Sequence, residues 1–557
     1  MSTLARLSRR FIKVPLRFTR REFMKRLGAA SAAVTVAPML PGCGNSVVSA
    51  QALPVAGTVE FRHGVASGDP LVNRVILWTR VTPCEGVNSL NVDWLIATDP
   101  LLASVIGAGT FLTNAARDFT VKVDAAGLNG YTTYYYQFRV GDTKSPVGRT
   151  KTAPSATETE RLRMAAVACS QWTTGYFNGY GNLARRQDLD LVLCLGDYIY
   201  EYGNGEGDVR LHSPAHEITT LSDYRERHAQ YKTDPDLQEL HRQNPWVTIW
   251  DDHESANNSY SGGAENHTEG AEGVWDQRKG WATRAYFEWM PIRDNAATGL
   301  DSPSADGLAP DGNGRSYRTL RYGAMVDLIM LDTRLAGRAL QAGTGIVSAE
   351  QTILGATQRE WFLAQLTGSQ ATWKIVPQQM TFAPLFIQPN TPAAPGTYLN
   401  EDAWDGYRFD RDAFFDTVET NSIENVVILS GDIHATIACD LPRDPSPPNY
   451  DPTTGAGSLG VELCSSGIAQ VPLPIWTGLR PNNPHLLHTN EEQLGYLLMD
   501  ITPARVQAEW YYGAPVQQRS TQETPDPVML ACAAGTQHLA QVTARTGSKP
   551  NPQPFAP

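Results

Sequence analysis

The sequence predicts an α/β protein, in which a layered α/β domain is preceded by an N-terminal antiparallel β-sandwich. Three observations carry this expectation. Five apolar runs each stop on a residue able to bind a metal: 163–169 (RMAAVAC), 191–197 (LVLCLGD), 247–252 (VTIWDD), 325–332 (MVDLIMLD) and 425–432 (NVVILSGD). Short β-branched runs of this kind read as strands buried on both faces. From residue 161 onward they alternate with helical stretches at 222–240, 278–290 and 357–368, the βαβ alternation of a layered domain. Before residue 154 the runs are short and alternate polar with apolar, at 74–80, 118–123 and 132–140. Gly, Pro and Asp turns separate them, as in a sandwich.

The first 50 residues read as a targeting segment rather than structure. Arg6, Arg9, Arg10, Lys13, Arg17, Arg20, Arg21, Lys25 and Arg26 face one acid, Glu22. Thr19-Arg20-Arg21-Glu22-Phe23-Met24-Lys25 is close to a twin-arginine export signal. An Ala-rich stretch at 27–40 follows, and Val48-Ser49-Ala50 offers a small-residue cleavage site. Leu40-Pro41-Gly42-Cys43 loosely resembles a lipoprotein box, which makes an anchor through Cys43 the alternative to a freely secreted or periplasmic product. No later run reaches the roughly 20 apolar residues of a membrane-spanning helix.

The sandwich is expected over 51–154, with 150–157 as a polar linker. The catalytic domain follows over 155–516, and 517–557 is expected to hold one short helix (529–545) and a loose tail. The chain carries a net charge of −12, and more once the basic leader is removed. An acidic body disfavours non-specific nucleic-acid binding. It also repels anionic substrates, so any phosphate chemistry needs a locally cationic site. The seven cysteines show no CxxC pairing, and no disulfide framework is indicated.

Ligands in open α/β sheets bind outside the carboxyl ends of the strands. Cys169 ends the first catalytic strand. Gly196-Asp197-Tyr198-Ile199-Tyr200-Glu201 follows the second, where the Gly permits a tight turn and Asp197 can bridge two cations. Tyr200 is near enough to reach the same centre, and a thiolate with a phenolate favours Fe3+ over Zn2+ or Mg2+. Trp250-Asp251-Asp252-His253-Glu254 ends the third strand, with titratable groups costly to bury without partners. Ser430-Gly431-Asp432-Ile433-His434 ends the last. In an extended segment Asp432 and His434 would point to one side, toward adjacent metals. The plain alternative for each motif is a capped strand end; the ordered set is more specific. Ser170 has no evident base and is not read as a nucleophile.

This order resembles the calcineurin-like metallophosphoesterase superfamily, with its D-x-H, G-D, G-N-H-[DE] and G-H-x-H motifs. Cys169 stands for the first carboxylate, Asp251-Asp252-His253-Glu254 for G-N-H-E, and Gly431-Asp432-Ile433-His434 for G-H-x-H. The Asp197/Tyr200 spacing is similar to that of purple acid phosphatases. Together with Phe61-Arg62-His63-Gly64-Val65-Ala66-Ser67-Gly68-Asp69-Pro70, Leu77-Trp78-Thr79-Arg80 and Ser145-Pro146-Val147-Gly148-Arg149-Thr150, the chain looks like the PhoD-like alkaline phosphatases.

The resemblance implies an αββα metallophosphatase domain and an exported phosphate-ester hydrolase using metal-activated hydroxide. It implies Fe3+ on Cys169, Asp197, Tyr200 and His434, and Ca2+ on Asp197, Asp252 and Asp432. His253 would meet the phosphate or leaving group. Arg278 or Arg293 would clamp phosphate, Asn257 and Asn258 would add oxygens, and Gln378 or Gln379 would stand at a further ligand position. Asp332 and Arg334 are expected to form a structural ion pair nearby. Substrates would be small phosphate monoesters or phosphodiesters, and the chain a monomer whose leader engages the export machinery. The alternatives are a phospholipase D-like phosphodiesterase and a non-catalytic envelope binding protein.

Overall fold

The computed structural model describes residues 59–83, 85–157, 161–293, 315–391 and 395–557. The targeting segment, Cys43, Cys84 and the whole of residues 298–314 lie outside the described residues.

Two large sheets stack face to face. In the first, Leu162–Ser170 pairs in parallel with Leu191–Cys194, which pairs with Pro245–Thr248. In the second, Val326–Met330, Trp373–Pro377 and Val426–Ser430 run parallel in that order. Successive side chains of a strand face opposite ways, and the cores follow that rule. Met164, Ala166, Leu193 and Val247 point between the sheets, against Leu328, Ile375, Val427 and Leu429. Ala165, Val167 and Val192 point outward, onto Tyr224, Leu237, Leu240 and Ala285 of the helices. Ile329, Val376 and Ile428 pack on Phe362, Phe414 and Val418 on the far side. The layering is αββα, and the first sheet carries the N-terminal sandwich.

That sandwich is not freestanding. Its five-stranded sheet, built around Ser89–Ala97 and Thr133–Val140, packs on Val65–Gly68, Arg74–Arg80 and Thr120–Ala126. Those three strands also extend the first catalytic sheet, through parallel pairing of Ser67 with Pro245. Gly68 permits this approach, since a Cβ there would lie 2.2 Å from the Pro291 carbonyl oxygen. Asp69 locks the seam. Its carboxylate takes Arg318 at 2.7 Å and the Arg293 backbone N–H at 2.8 Å, and its own N–H donates to the Trp246 carbonyl.

Three expected elements differ. The helix expected at 222–240 is two helices, Leu221–Tyr231 and Pro235–Gln243. Pro235 disfavours helical geometry in the residue before it, and Asp234 caps the second helix by accepting from the N–H groups of Asp236 and Leu237. The helix expected at 529–545 is absent. Glu523–Ala533 and Leu539–Gln541 are strands that continue the first sheet beyond Arg505–Gly513. An unpaired edge offers a row of hydrogen-bond partners, and Gly535, at φ +82°, helps close the intervening turn. The tail is not loose: Tyr135 Oη donates to Pro554 O at 2.6 Å, and Gln243 Oε1 accepts from the Ala556 N–H at 3.0 Å.

Lys232 is buried where the seam meets the helices. Its ammonium lies 3.1 Å from Tyr198 Oη, 3.3 Å from His241 Nε2 and 4.6 Å from the Trp78 ring centre. No ion pair to it exists among the described residues, and burial pushes its pKa down to about 7. An unfolded lysine titrates at about 10.4. Between these values the unfolded chain holds a proton that the folded chain has shed, so stability rises with pH across that window. The limiting gain is about 1.4 kcal/mol per pH unit. Denaturant unfolding at several alkaline pH values should show this rise, and Lys232→Met should flatten it.

Candidate metal centre

The parallel strands of both sheets deliver their carboxyl ends to one edge, where the donors converge. One ligand atom each from Cys169, Asp197 and His434 lies within 4.8 Å of the others. The same holds for Asp197, Asp252 and His253, and for Asp251, Asp252 and Asp432. Asp197 and Asp252 are each shared by two groups, so the three groups form one continuous centre. Tyr200 Oη donates to Asp197 Oδ2 at 2.9 Å, which puts the expected phenol beside the thiol and imidazole group. Burial first, then the charges of Asp197 and Cys169, hold the Tyr200 pKa well above its usual value.

The backbone is bent to make this possible. Cys169, Asp197, Asp432 and His434 have φ of +53°, +55°, +62° and +54°. Non-glycine residues seldom adopt this region, which costs of order 1–3 kcal/mol each. The last strand ends at Ser430, so 432–434 is a turn rather than the extended segment expected. Asp432 and His434 therefore part, one joining Asp251 and Asp252, the other joining Cys169 and Asp197. Gly196, at φ +113°, lets the loops after the second and third strands touch; a Cβ there would stand 2.4 Å from Asp251 Cβ.

Three acidic or basic residues outside the expected set hold the site together. Glu254 Oε1 accepts from the Tyr198 N–H at 2.6 Å, and Oε2 accepts from the N–H groups of Asp197 and Asp251 at 3.1 and 2.8 Å. One carboxylate thus fastens the turns after two adjacent strands. Burial and the nearby Asp197 charge raise its pKa to about 8. Glu201 accepts from His253 Nδ1 at 2.7 Å and from the Asn257 N–H at 2.8 Å. Burial alone would lower the His253 pKa; the carboxylates of Asp252, Glu201 and Asp197 outweigh it and raise the value to about 10. His253 also stacks on Tyr200, with ring centres 4.2 Å apart. Arg334 is the third. Its Nε donates to Asp251 at 2.6 Å and Nη1 to Asp402 at 3.0 Å. The acids of GDYIYE and DDHE were visible as motif members; their backbone contacts were not.

Several expected roles fail. Arg278 does not clamp phosphate: its guanidinium is wholly buried and donates to Tyr224, Asn266, Glu272, Glu217 and Ile218. Arg293 is engaged at the domain seam with Asp69 and Asp124. Gln379 bonds Thr333 and Leu331, and Gln378 bonds Met380 and Trp404, so both amides are committed to structure. Asp332 does not pair with the Arg334 guanidinium; it accepts from the backbone N–H groups of Arg334 and Leu335. Ser170, which the sequence does not read as a nucleophile, donates to the Tyr198 carbonyl. Asn258 N–H donates to Asp252 Oδ2 at 2.7 Å.

The donor set fits cations. Carboxylates this close repel one another when buried, and the Asp251 carboxyl is pushed well above its usual pKa by burial and by Asp252, Asp197 and Asp432, against the pull of Arg334. Asp251 Oδ2 and Asn257 Oδ1 are buried oxygens with no hydrogen-bond donor. Thiol, phenol and imidazole on one side suit a softer or trivalent ion, and carboxylates on the other suit a hard divalent one.

The profile of the PhoD-like phosphatase family matches residues 164–510, and that of the family's N-terminal domain matches residues 48–154. The chain belongs to the PhoD-like phosphatase family. It is accordingly a phosphoric ester hydrolase by class. Alkaline phosphatase D of Bacillus subtilis (strain 168) is 33% identical over 520 residues, which span 88% of this chain and 84% of that protein. A solved structure of PhoD superposes with a TM-score of 0.78 at 31% identity, covering 88% of this chain and 94% of that one.

Glu254→Gln replaces an acceptor of three backbone N–H groups by an amide with one oxygen. Leaving a buried donor unmet costs about 1–3 kcal/mol. Thermal unfolding should register that loss, and elemental analysis should find less bound metal than in the unaltered protein.

Proposed function

We propose that this protein is an exported, metal-dependent hydrolase of phosphate esters, acting on monoesters, phosphodiesters or both. The observation that supports it best is the sharing of Asp197 and Asp252 between donor groups contributed by both sheets. Cys169, Asp197, Tyr200 and His434 would hold Fe3+; Asp197, Asp252 and Asp432 would hold Ca2+. When bound, the cations supply Lewis acidity, lowering the pKa of a ligand water and drawing charge from phosphate oxygens.

The chain's own residues do the rest. Asp197 and Asp252 fix the spacing between the two ends of the centre. Glu201 holds the His253 ring by Nδ1 and so aims Nε2, which lies 3.9 Å from Asp252 Oδ1. There Nε2 carries a proton that can neutralise a phosphate oxygen or pass to the leaving group. Glu254 keeps the turns of Asp197 and Asp251 from moving as charge develops. No serine or cysteine nucleophile is required. The N-terminal strands serve the catalytic sheet as a built-in extension.

The leader at 1–50 would carry the folded, metal-loaded chain to the periplasm or beyond. Replacing Arg20 and Arg21 by Lys should leave the protein in the cytoplasm, which fractionation would show; unaltered secretion would refute that route. Cys169→Ala should lose iron and hydrolysis together. Elemental analysis with rates on p-nitrophenyl phosphate and its bis ester tests this and measures the mono- to diester ratio. Full activity without the thiol would remove Cys169 from the centre.

A further inference from the structure

Arg334 occupies an unusual place. Its guanidinium is fully buried, and Nη2 lies 3.4 Å from Asp252 Oδ2 and 3.5 Å from Asp432 Oδ1. Those carboxylates belong to the oxygen-rich end of the centre. The guanidinium cannot swing away: Nε is bonded to Asp251 and Nη1 to Asp402. Asp402 is in turn fixed by Arg338 Nη2 at 2.6 Å. Nor can it shed its charge, since arginine stays protonated in proteins. The Nη2 distances are longer than those of a strong hydrogen bond, so Arg334 acts on the facing carboxylates chiefly as a permanent positive charge.

Resting on the metal-dependent reading above, we propose that Arg334 is an internal cation that competes with the bound divalent ion for Asp252 and Asp432 and keeps that ion weakly held and exchangeable. It is a positioning and affinity-setting residue; it does not meet substrate. Two consequences follow from Coulomb's law. Before metal arrives, Arg334 offsets the mutual repulsion of Asp251, Asp252, Asp402 and Asp432. After metal arrives, the same charge opposes a divalent ion a few ångström away. The centre is thereby stable enough to fold around, yet its calcium-type position responds to the calcium outside. The carboxylates that Arg334 faces are those of Asp251, Asp252, Asp402 and Asp432, so the softer position at Cys169 and His434 should be less affected.

Equilibrium dialysis of the purified protein, its iron retained, against stepped calcium chloride tests this. Arg334→Gln should bind calcium about tenfold more tightly or better, because the opposing charge is gone. Arg334→Lys keeps the charge and should stay within about threefold of the unaltered protein. Equal or weaker calcium binding in Arg334→Gln would overturn the proposal, as would equal tightening in Arg334→Lys. If Arg334→Gln does not fold, Asp402→Asn decides. It frees Nη1 to lean on Asp252 and Asp432, so calcium binding should weaken several-fold; unchanged or tighter binding would overturn the proposal. Unaltered protein that takes up no calcium would instead overturn the metal reading, and this proposal with it.

Discussion

Like-charge repulsion among buried carboxylates is the constraint on which the rest of this structure depends. Asp197, Asp251, Asp252 and Asp432 come from three separate strand ends, and donor atoms within each group lie within 4.8 Å of one another. Leaving such groups charged in a dry interior is prohibitive without compensation. Compensation arrives in several forms: the guanidinium of Arg334, the His253 imidazolium and backbone N–H groups such as that of Asn258. Asp251 Oδ2 remains buried with no hydrogen-bond donor. The acidic surface of the chain makes the same point from outside, because an anionic substrate is drawn only to a place where positive charge exceeds negative.

The strained backbone follows from that arrangement. Four of the clustered donors, Cys169, Asp197, Asp432 and His434, sit in left-handed geometry at strand ends, and two glycines, Gly196 and Gly431, let loops from neighbouring strands close to contact. A Cβ on Gly431 would lie 2.8 Å from Ala168 Cβ, across the gap between the two sheets. The large apolar core between the sheets supplies the stability that tolerates this strain. Glu254 and Glu201 then convert a set of turns into a rigid frame.

Much of this was legible in the chain, and the illegible part has physical causes. Runs that end on Cys169, Asp197, Asp252 and Asp432 announce buried strands and the donors gathered at their ends, because a β-branched run followed by Gly-Asp has few other uses. Arg278 misled because a basic residue near acidic motifs says nothing of its partners. Five donors in a fixed fork can be spent on carbonyls and carboxylates alike, and here all of them are. Arg334 was assigned the wrong partner for the complementary reason. Its nearest acid in sequence is Asp332, yet its partners Asp251 and Asp402 are 83 and 68 residues away. The C-terminal strands looked helical because Met529–Ala534 has no strong preference, and the open edge of a distant sheet decided the outcome. The two-helix break at Pro235 could have been read from the proline alone.

The continuity of the first sheet has a consequence for how this chain comes to be folded. Leu162–Ser170 finds one neighbour in Leu191–Cys194 and the other in Gly495–Ile501, and the Arg161–Asp500 ion pair beside that join spans 339 residues. The sandwich at the start and Ala556 near the finish both fasten to the chain around Gln243 and Pro245. Assembly dominated by such remote pairings is slow, since loop closure precedes the reward of contact. The central strands therefore wait, with an edge unpaired, until nearly the whole polypeptide has been made.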